Sequence, residues 1–175
     1  MGNVKLLDKV KLIITVFSQD KKRIEKVKSI LIKRFGLIDY ESYDLKLITN
    51  YYEDELGPNL VRQFYAFKKL INRDKIAGIK LYTNKLEDKF RMNNKRVINI
   101  DPGYLSLGKF ILTTTKNQQQ RLHLKNGIFA ECALRYKNGG FATWDWTYPD
   151  YATEEYRKVL NEIREVYFKQ IRCKY

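Results

Sequence analysis

The sequence predicts an α+β layer sandwich, most simply an enlarged ferredoxin-like one with a mostly antiparallel sheet and helices packed on it. Three observations carry that expectation. The 175 residues are 44% hydrophobic with only three prolines and nine glycines, which describes one packed globular domain over residues 1–175. Short β-branched runs alternate with longer segments whose apolar residues recur at helical spacing. Turn signals such as Asn138-Gly139-Gly140 leave room for hairpins between neighbouring strands.

Val10 to Phe17 is an apolar run of strand length, followed by Asp20 as the N-cap of a helix with Ile24, Val27, Leu31 and Phe35 on one face. Gly36 closes that helix. Tyr43, Leu45 and Leu47 alternate with polar neighbours as a second strand, and Val61 to Phe67 reads as a third, so the chain opens β-α-β-β. From Asp74 to Phe90 the stripe Ile76, Ile79, Tyr82, Leu86 and Phe90 predicts a helix, beside a second stripe of Lys80, Thr83, Asn84 and Glu87. Val97 to Asp101 is expected as a strand, and Pro102 to about Thr113 as a short helical stretch. Gly127 to Tyr136 then makes a long strand, and another follows the turn up to Trp146. Thr153 with Glu154 and Glu155 opens a last helix that turns Tyr156, Leu160, Ile163, Val166, Tyr167 and Ile171 inward.

The composition also excludes chemistry. Two distant cysteines and a single histidine provide neither a disulfide framework nor a zinc, haem or iron–sulfur site. The longest apolar runs are too short for a bilayer and lack a secretory layout, so a soluble cytoplasmic protein without a membrane partner is expected. Lys and Arg number 34 against 20 Asp and Glu, a net +14, which makes a polyanion the first partner to consider. The basic residues are spread over the whole chain, however, and a lysine-rich surface composition accounts for them equally well.

Asp101-Pro102-Gly103-Tyr104 is read as a strand-to-helix turn, where free helix N–H groups favour an anion but Asp101 as N-cap and Pro102 at the first helical position already explain the residues. Gly103, Gly108 and Lys109 match the opening of a phosphate loop, yet Phe110 replaces the magnesium-binding hydroxyl, so no triphosphate loop is expected. Period-two alternation puts Asn99 with Asp101, and Glu131 with Arg135, on polar strand faces, either as a solvated surface with an exposed ion pair or as a binding patch. His123 and Cys132 read as structural. Trp144 to Tyr151 is expected mainly to wedge the last helix against the sheet, with base stacking as the alternative. Tyr51-Tyr52-Glu53-Asp54-Glu55 is read as a ligand rim or a surface loop.

Several of these residues stand in motifs that resemble the bacterial domain-of-unknown-function family 4416 along nearly the whole chain. They include Phe35-Gly36, Ile38-Asp39, Thr49, Tyr51-Tyr52-Glu53, Glu55-Leu56-Gly57, Ile79-Lys80, Thr83-Asn84 and Leu86-Glu87. Asn99 to Leu105, Thr114-Thr115-Lys116, Gly127-Ile128, Ala130-Glu131 and Trp146 to Tyr151 complete the set. Gln120 and His123 depart from the family pattern, which has histidine and tyrosine there. The resemblance implies no activity, but it marks polar residues as a site. Asp101 and Glu131 are the candidate catalytic carboxylates. Arg62, Lys80, Asn84, Asn99, Tyr104, Lys116, Arg121, Arg135 and Asp150 are the candidate ligand contacts. The expected function is binding, and conceivably processing, of a phosphate-bearing ligand such as a nucleotide or nucleic-acid fragment, with magnesium as the ion if a phosphate is processed. The alternative is a non-catalytic nucleic-acid-binding module with a basic face.

Overall fold

The computed structural model describes residues 3, 7–48 and 51–173, so Thr49 of the motif set lies outside the described residues. The chain runs β1 (Lys11–Ser18), α1 (Lys21–Phe35), β2 (Ile38–Glu41), β3 (Leu45–Lys46), α2 (Glu53–Leu56) and β4 (Val61–Phe67). It continues with α3 (Ile76–Lys89), β5 (Asn99–Ser106), β6 (Lys109–Thr114), β7 (Leu122–Lys125), β8 (Ile128–Lys137), β9 (Gly140–Ala142), α4 (Pro149–Ala152) and α5 (Glu154–Arg172). All strand pairs are antiparallel, and the sheet order is β2-β4-β1-β5-β6-β8-β7, with β3 on β4 and β9 on β8.

The first four strands of that order, with α1 and α3 as crossovers, make the ferredoxin-like β-α-β-β-α-β unit. The β6–β9 extension enlarges it, giving the predicted α+β class. α1 and α3 bury Ile24, Val27, Leu31, Ile76, Ile79 and Leu86 against one face, where they meet Leu12, Ile14, Tyr65, Ile98 and Ile100. α5 covers the opposite face with Tyr156, Val159, Leu160, Ile163 and Tyr167 against Ile13, Phe64, Leu105, Phe110 and Leu134. β1 lies inside the sheet, between β4 and β5, and is buried along its whole length. The caps behave as their chemistry dictates. Asp20 Oδ1 accepts from the Lys22 N–H at 2.9 Å, and Thr153 Oγ1 from the Tyr156 N–H at 3.2 Å.

Three expectations are corrected. Pro102 to Thr113 is no helix: β5 continues through Asp101 and Pro102 to Ser106 and turns at Leu107-Gly108 into β6. Asp101 therefore caps nothing, and the partial phosphate loop is a tight hairpin. The second strand is only Leu45–Lys46, while Ile38–Glu41 forms the edge strand β2. The strand after the 138–140 turn ends at Ala142, short of Trp146.

Pro102 and Gly103 decide where the sheet opens. In an extended strand the N–H and C=O of one residue point to the same side. Pro102 O accepts from Thr113 Oγ1 at 2.6 Å, so its missing N–H also faces β6 and has no ladder bond to offer. The β5–β6 register accordingly runs from Ser106↔Lys109 to Gly103↔Leu112 and stops, although both strands go on. Gly103 is the last paired residue. A Cβ there would stand 2.3 Å from the Ile111 carbonyl oxygen, so only glycine permits the approach.

Candidate functional site

Where the β5–β6 ladder ends, a cavity of about 710 Å³ opens at one end of the sheet. α3 reaches it from one face with Lys80, Asn84 and Glu87. The segment around α4 reaches it from the other with Tyr148, Asp150 and Tyr151. Tyr51, Tyr52 and Glu55 form a further wall, which places the aromatic-acidic segment at a rim. The floor comes from the α5 face of the strands. Arg62 of β4 and Asn99 of β5 both pair with Phe17 of β1, and Asp101 pairs with Thr15, so these side chains lie in neighbouring rows of one face. Glu131 of β8 pairs with Leu112 of β6 on the same face.

A linked polar network holds the wall nearest α3. Lys80 Nζ donates to Asp101 Oδ1 at 3.1 Å and to the Ile100 carbonyl at 3.3 Å. Asn99 Nδ2 donates to the other Asp101 oxygen at 2.6 Å. Arg96 donates through Nη1 to Asn99 Oδ1 at 2.9 Å and to Glu87 at 3.3 Å, and through Nε and Nη2 to the two Glu55 oxygens at 2.8 and 2.5 Å. Glu87 also accepts from the Ile100 N–H at 2.7 Å. Burial opposes the charge on Asp101, but Lys80 and Arg62 outweigh it and hold the carboxyl below its ordinary range. Glu87 goes the other way, pushed up by burial and by the Asp101 charge despite Lys80, Ile100 and Arg96.

At the far wall Arg121 Nε donates to Glu131 Oε2 at 2.7 Å, Nη1 to the Lys116 carbonyl at 3.1 Å and Nη2 to the Tyr148 hydroxyl at 2.5 Å. Gln120 Nε2 donates to the same Glu131 oxygen at 3.2 Å. Glu131 is only 2% exposed, yet its Oε1 has no hydrogen-bond partner among the described residues. Arg62, 3% exposed, is the counterpart. Its guanidinium carbon lies 4.5 Å from the Phe17 ring centre and 5.3 Å from that of Tyr151. Nη1 stands 3.8 Å from Asp150 Oδ2, beyond a hydrogen bond, and neither Nε nor Nη1 has a partner. Asp150 is held by the Ile48 N–H at 2.8 Å.

The structure thus brings Arg62, Lys80, Asn84, Asn99, Asp101, Lys116, Arg121, Glu131 and Asp150 to one cavity and leaves two sequence-predicted residues elsewhere. Tyr104 packs with the α1–α3 core. Arg135 lies with its guanidinium carbon 4.1 Å from the Trp144 ring centre. The expected Glu131–Arg135 pair is therefore replaced by a buried Glu131–Arg121 pair. The reason is a β-bulge: Phe110 pairs with Leu134 but Ile111 with Cys132, so Ala133 is extra and reverses the alternation between Glu131 and Arg135. The loop after β9 satisfies the carbonyls at this bulge, with Trp146 Nε1 donating to Cys132 at 3.1 Å and Thr147 Oγ1 to Ala133 at 2.7 Å.

Sequence reasoning missed Arg96 and Glu87 as wall residues. Glu87 stood in the polar stripe with Lys80 and Asn84, which was the available signal; Arg96 gave none. Among the described residues, no group of three or more His, Cys, Asp or Glu side chains could hold a metal ion. Nor is any helix among them long and apolar enough to cross a membrane.

The fold and site define an α+β sheet protein with a polar cavity where its central ladder parts. The family model for the domain of unknown function DUF4416 matches residues 8–167, and the chain belongs to that family. No curated protein and no solved structure matches the chain.

Proposed function

We propose that the cavity binds a small phosphate-bearing ligand, with Arg62 as the anion contact at its floor and Lys116 at its rim. The observation that carries this reading is the buried Arg62 guanidinium, whose Nε and Nη1 have no hydrogen-bond partner among the described residues, on a side chain that lines the cavity of about 710 Å³. A buried guanidinium N–H without an acceptor is costly, and a ligand oxyanion would relieve that cost. The volume suits a mononucleotide-sized molecule. Asp101 serves binding in this reading, since Lys80 and Asn99 occupy both of its oxygens. Titration with a nucleoside monophosphate, followed through Trp144 and Trp146, tests the proposal; these are the only tryptophans, and Trp146 precedes the cavity residue Tyr148 by two positions in the chain. Saturable one-site binding, weakened about tenfold or more by Arg62→Gln, is expected. Absence of saturable binding would overturn it.

One observation favours nucleic acid as a second reading. α1 carries seven basic residues against one acid, whereas α5 carries five against four, so the basic excess leans toward the α1 side of the sheet. Among the described residues Lys22, Lys26, Lys33 and Arg34 form no ion pair. Binding of duplex or single-stranded nucleic acid that falls steeply with salt and is lost in Lys22→Gln/Lys26→Gln supports this reading; no binding at low salt excludes it.

A further inference from the structure

Three residues of the cavity lining, Arg62, Glu131 and Tyr151, carry buried side-chain atoms without a hydrogen-bond partner, and the first two have opposite hydrogen-bonding character. Arg62 Nε and Nη1 are donors without acceptors, and Glu131 Oε1 is an acceptor without a donor. They stand on different strands, Arg62 on β4 and Glu131 on β8, with β1, β5 and β6 between them in the sheet order. With three strands between them, and neighbouring strands about 4.8 Å apart, the two groups are not spanned by one ion of the size of inorganic phosphate. A molecule reaching both must be longer than a phosphate and must carry a hydrogen-bond donor away from its anionic end.

The charge of the lining narrows the class further. Six Lys or Arg side chains face six Asp or Glu side chains around the cavity. Arg121, Lys80, Arg96, Arg91 and Arg62 each have an acid of the lining within 4.0 Å, and Lys116 donates to the Tyr51 hydroxyl at 3.0 Å. No surplus of cations is left for a polyphosphate chain, in spite of the +14 on the whole protein. Sites for such chains gather positive groups and backbone N–H donors on one stretch of the ligand.

We propose that the ligand is a monophosphate ester with a polar head group, its phosphate on Arg62 and an N–H or O–H of the head group donating to Glu131 Oε1, and that polyphosphates are discriminated against. This rests on the phosphate reading above and goes beyond it by naming the ligand's two ends. Arg121 fixes Glu131 by occupying the other oxygen, so the free oxygen is oriented before the ligand arrives. Gln120 adds a second bond to the occupied oxygen and leaves Oε1 without a partner.

The test compares the four common ribonucleoside monophosphates, their triphosphates and inorganic phosphate on the intact chain. At least one monophosphate is expected to bind about tenfold or more tightly than its triphosphate and than inorganic phosphate. In Glu131→Gln, where an amide can keep the Arg121 contact while presenting N–H to the cavity, monophosphate binding should fall about tenfold and phosphate binding should not. Because that variant leaves the buried Arg121 without its counter-charge, the wild-type comparison stands as the independent arm. If no phosphate compound binds, the phosphate reading falls and this inference with it. If phosphates bind but triphosphate or inorganic phosphate binds as tightly as every monophosphate, only this inference is overturned. Equal weakening of all ligands by Glu131→Gln would also overturn it.

Discussion

Asp101 and Glu87 lie on the same network, yet their surroundings move their acidities in opposite directions. Lys80 and Arg62 hold Asp101 ionised below its ordinary 3.8, so its share of stability is present above that value and is lost as pH falls through the depressed folded value. Glu87 is raised from 4.5 by burial first and by Asp101 next, so the folded state keeps a proton that the unfolded chain releases. Between 4.5 and that raised value, stability therefore declines as pH rises. Urea unfolding across this window should show the decline in the wild type and a flatter profile in Glu87→Gln, which can still accept from Ile100. Both proteins should lose stability at more acid pH, where Asp101 protonates. An unchanged profile in the variant would mean that Glu87 titrates normally.

At the scale of elements, the legible parts are those with an uninterrupted period. β4 is legible from Val61 to Phe67 with its observed bounds, and the three long amphipathic helices follow from their stripes. Two of the corrections share a cause, which is that one residue changes the rule its neighbours follow. Asp-Pro has the chemistry of a helix start, but Pro102 instead ends a ladder inside a central strand. Ala133 looks like one more step of an alternating strand but is the extra residue of a bulge, which turned a supposed surface ion pair into a buried acid and a separate Arg–Trp stack. Gly103 tests this account of the opening. Gly103→Ala forces a Cβ against the Ile111 carbonyl, and because the obstacle is backbone, β6 itself must move. A loss of about 1–3 kcal/mol in chemical denaturation is expected, together with weaker ligand binding at the cavity. A neutral substitution would show that the two strands are less tightly apposed than their register implies.

Taken over the whole molecule, the +14 charge and the cavity belong to different places. The basic excess is marked on α1, whereas cations and acids balance around the cavity. Net charge was visible in the sequence, but its distribution depended on which acids fold back onto which bases, as Glu55 does onto Arg96 across 41 residues. The polar candidates were similarly visible one by one. Their convergence was not, because it requires β4, β5 and β8 to present one face at one end of the sheet. The central claim is that this cavity, rather than the basic helix, receives the phosphate ligand. A backbone amide chemical-shift map of the wild-type protein titrated with a nucleoside monophosphate tests it without any substitution. The account predicts saturable shifts gathered at Arg62, Asn99 to Asp101, Thr113 to Lys116 and Glu131; shifts confined to Lys21–Phe35, or none at saturating ligand, would contradict it.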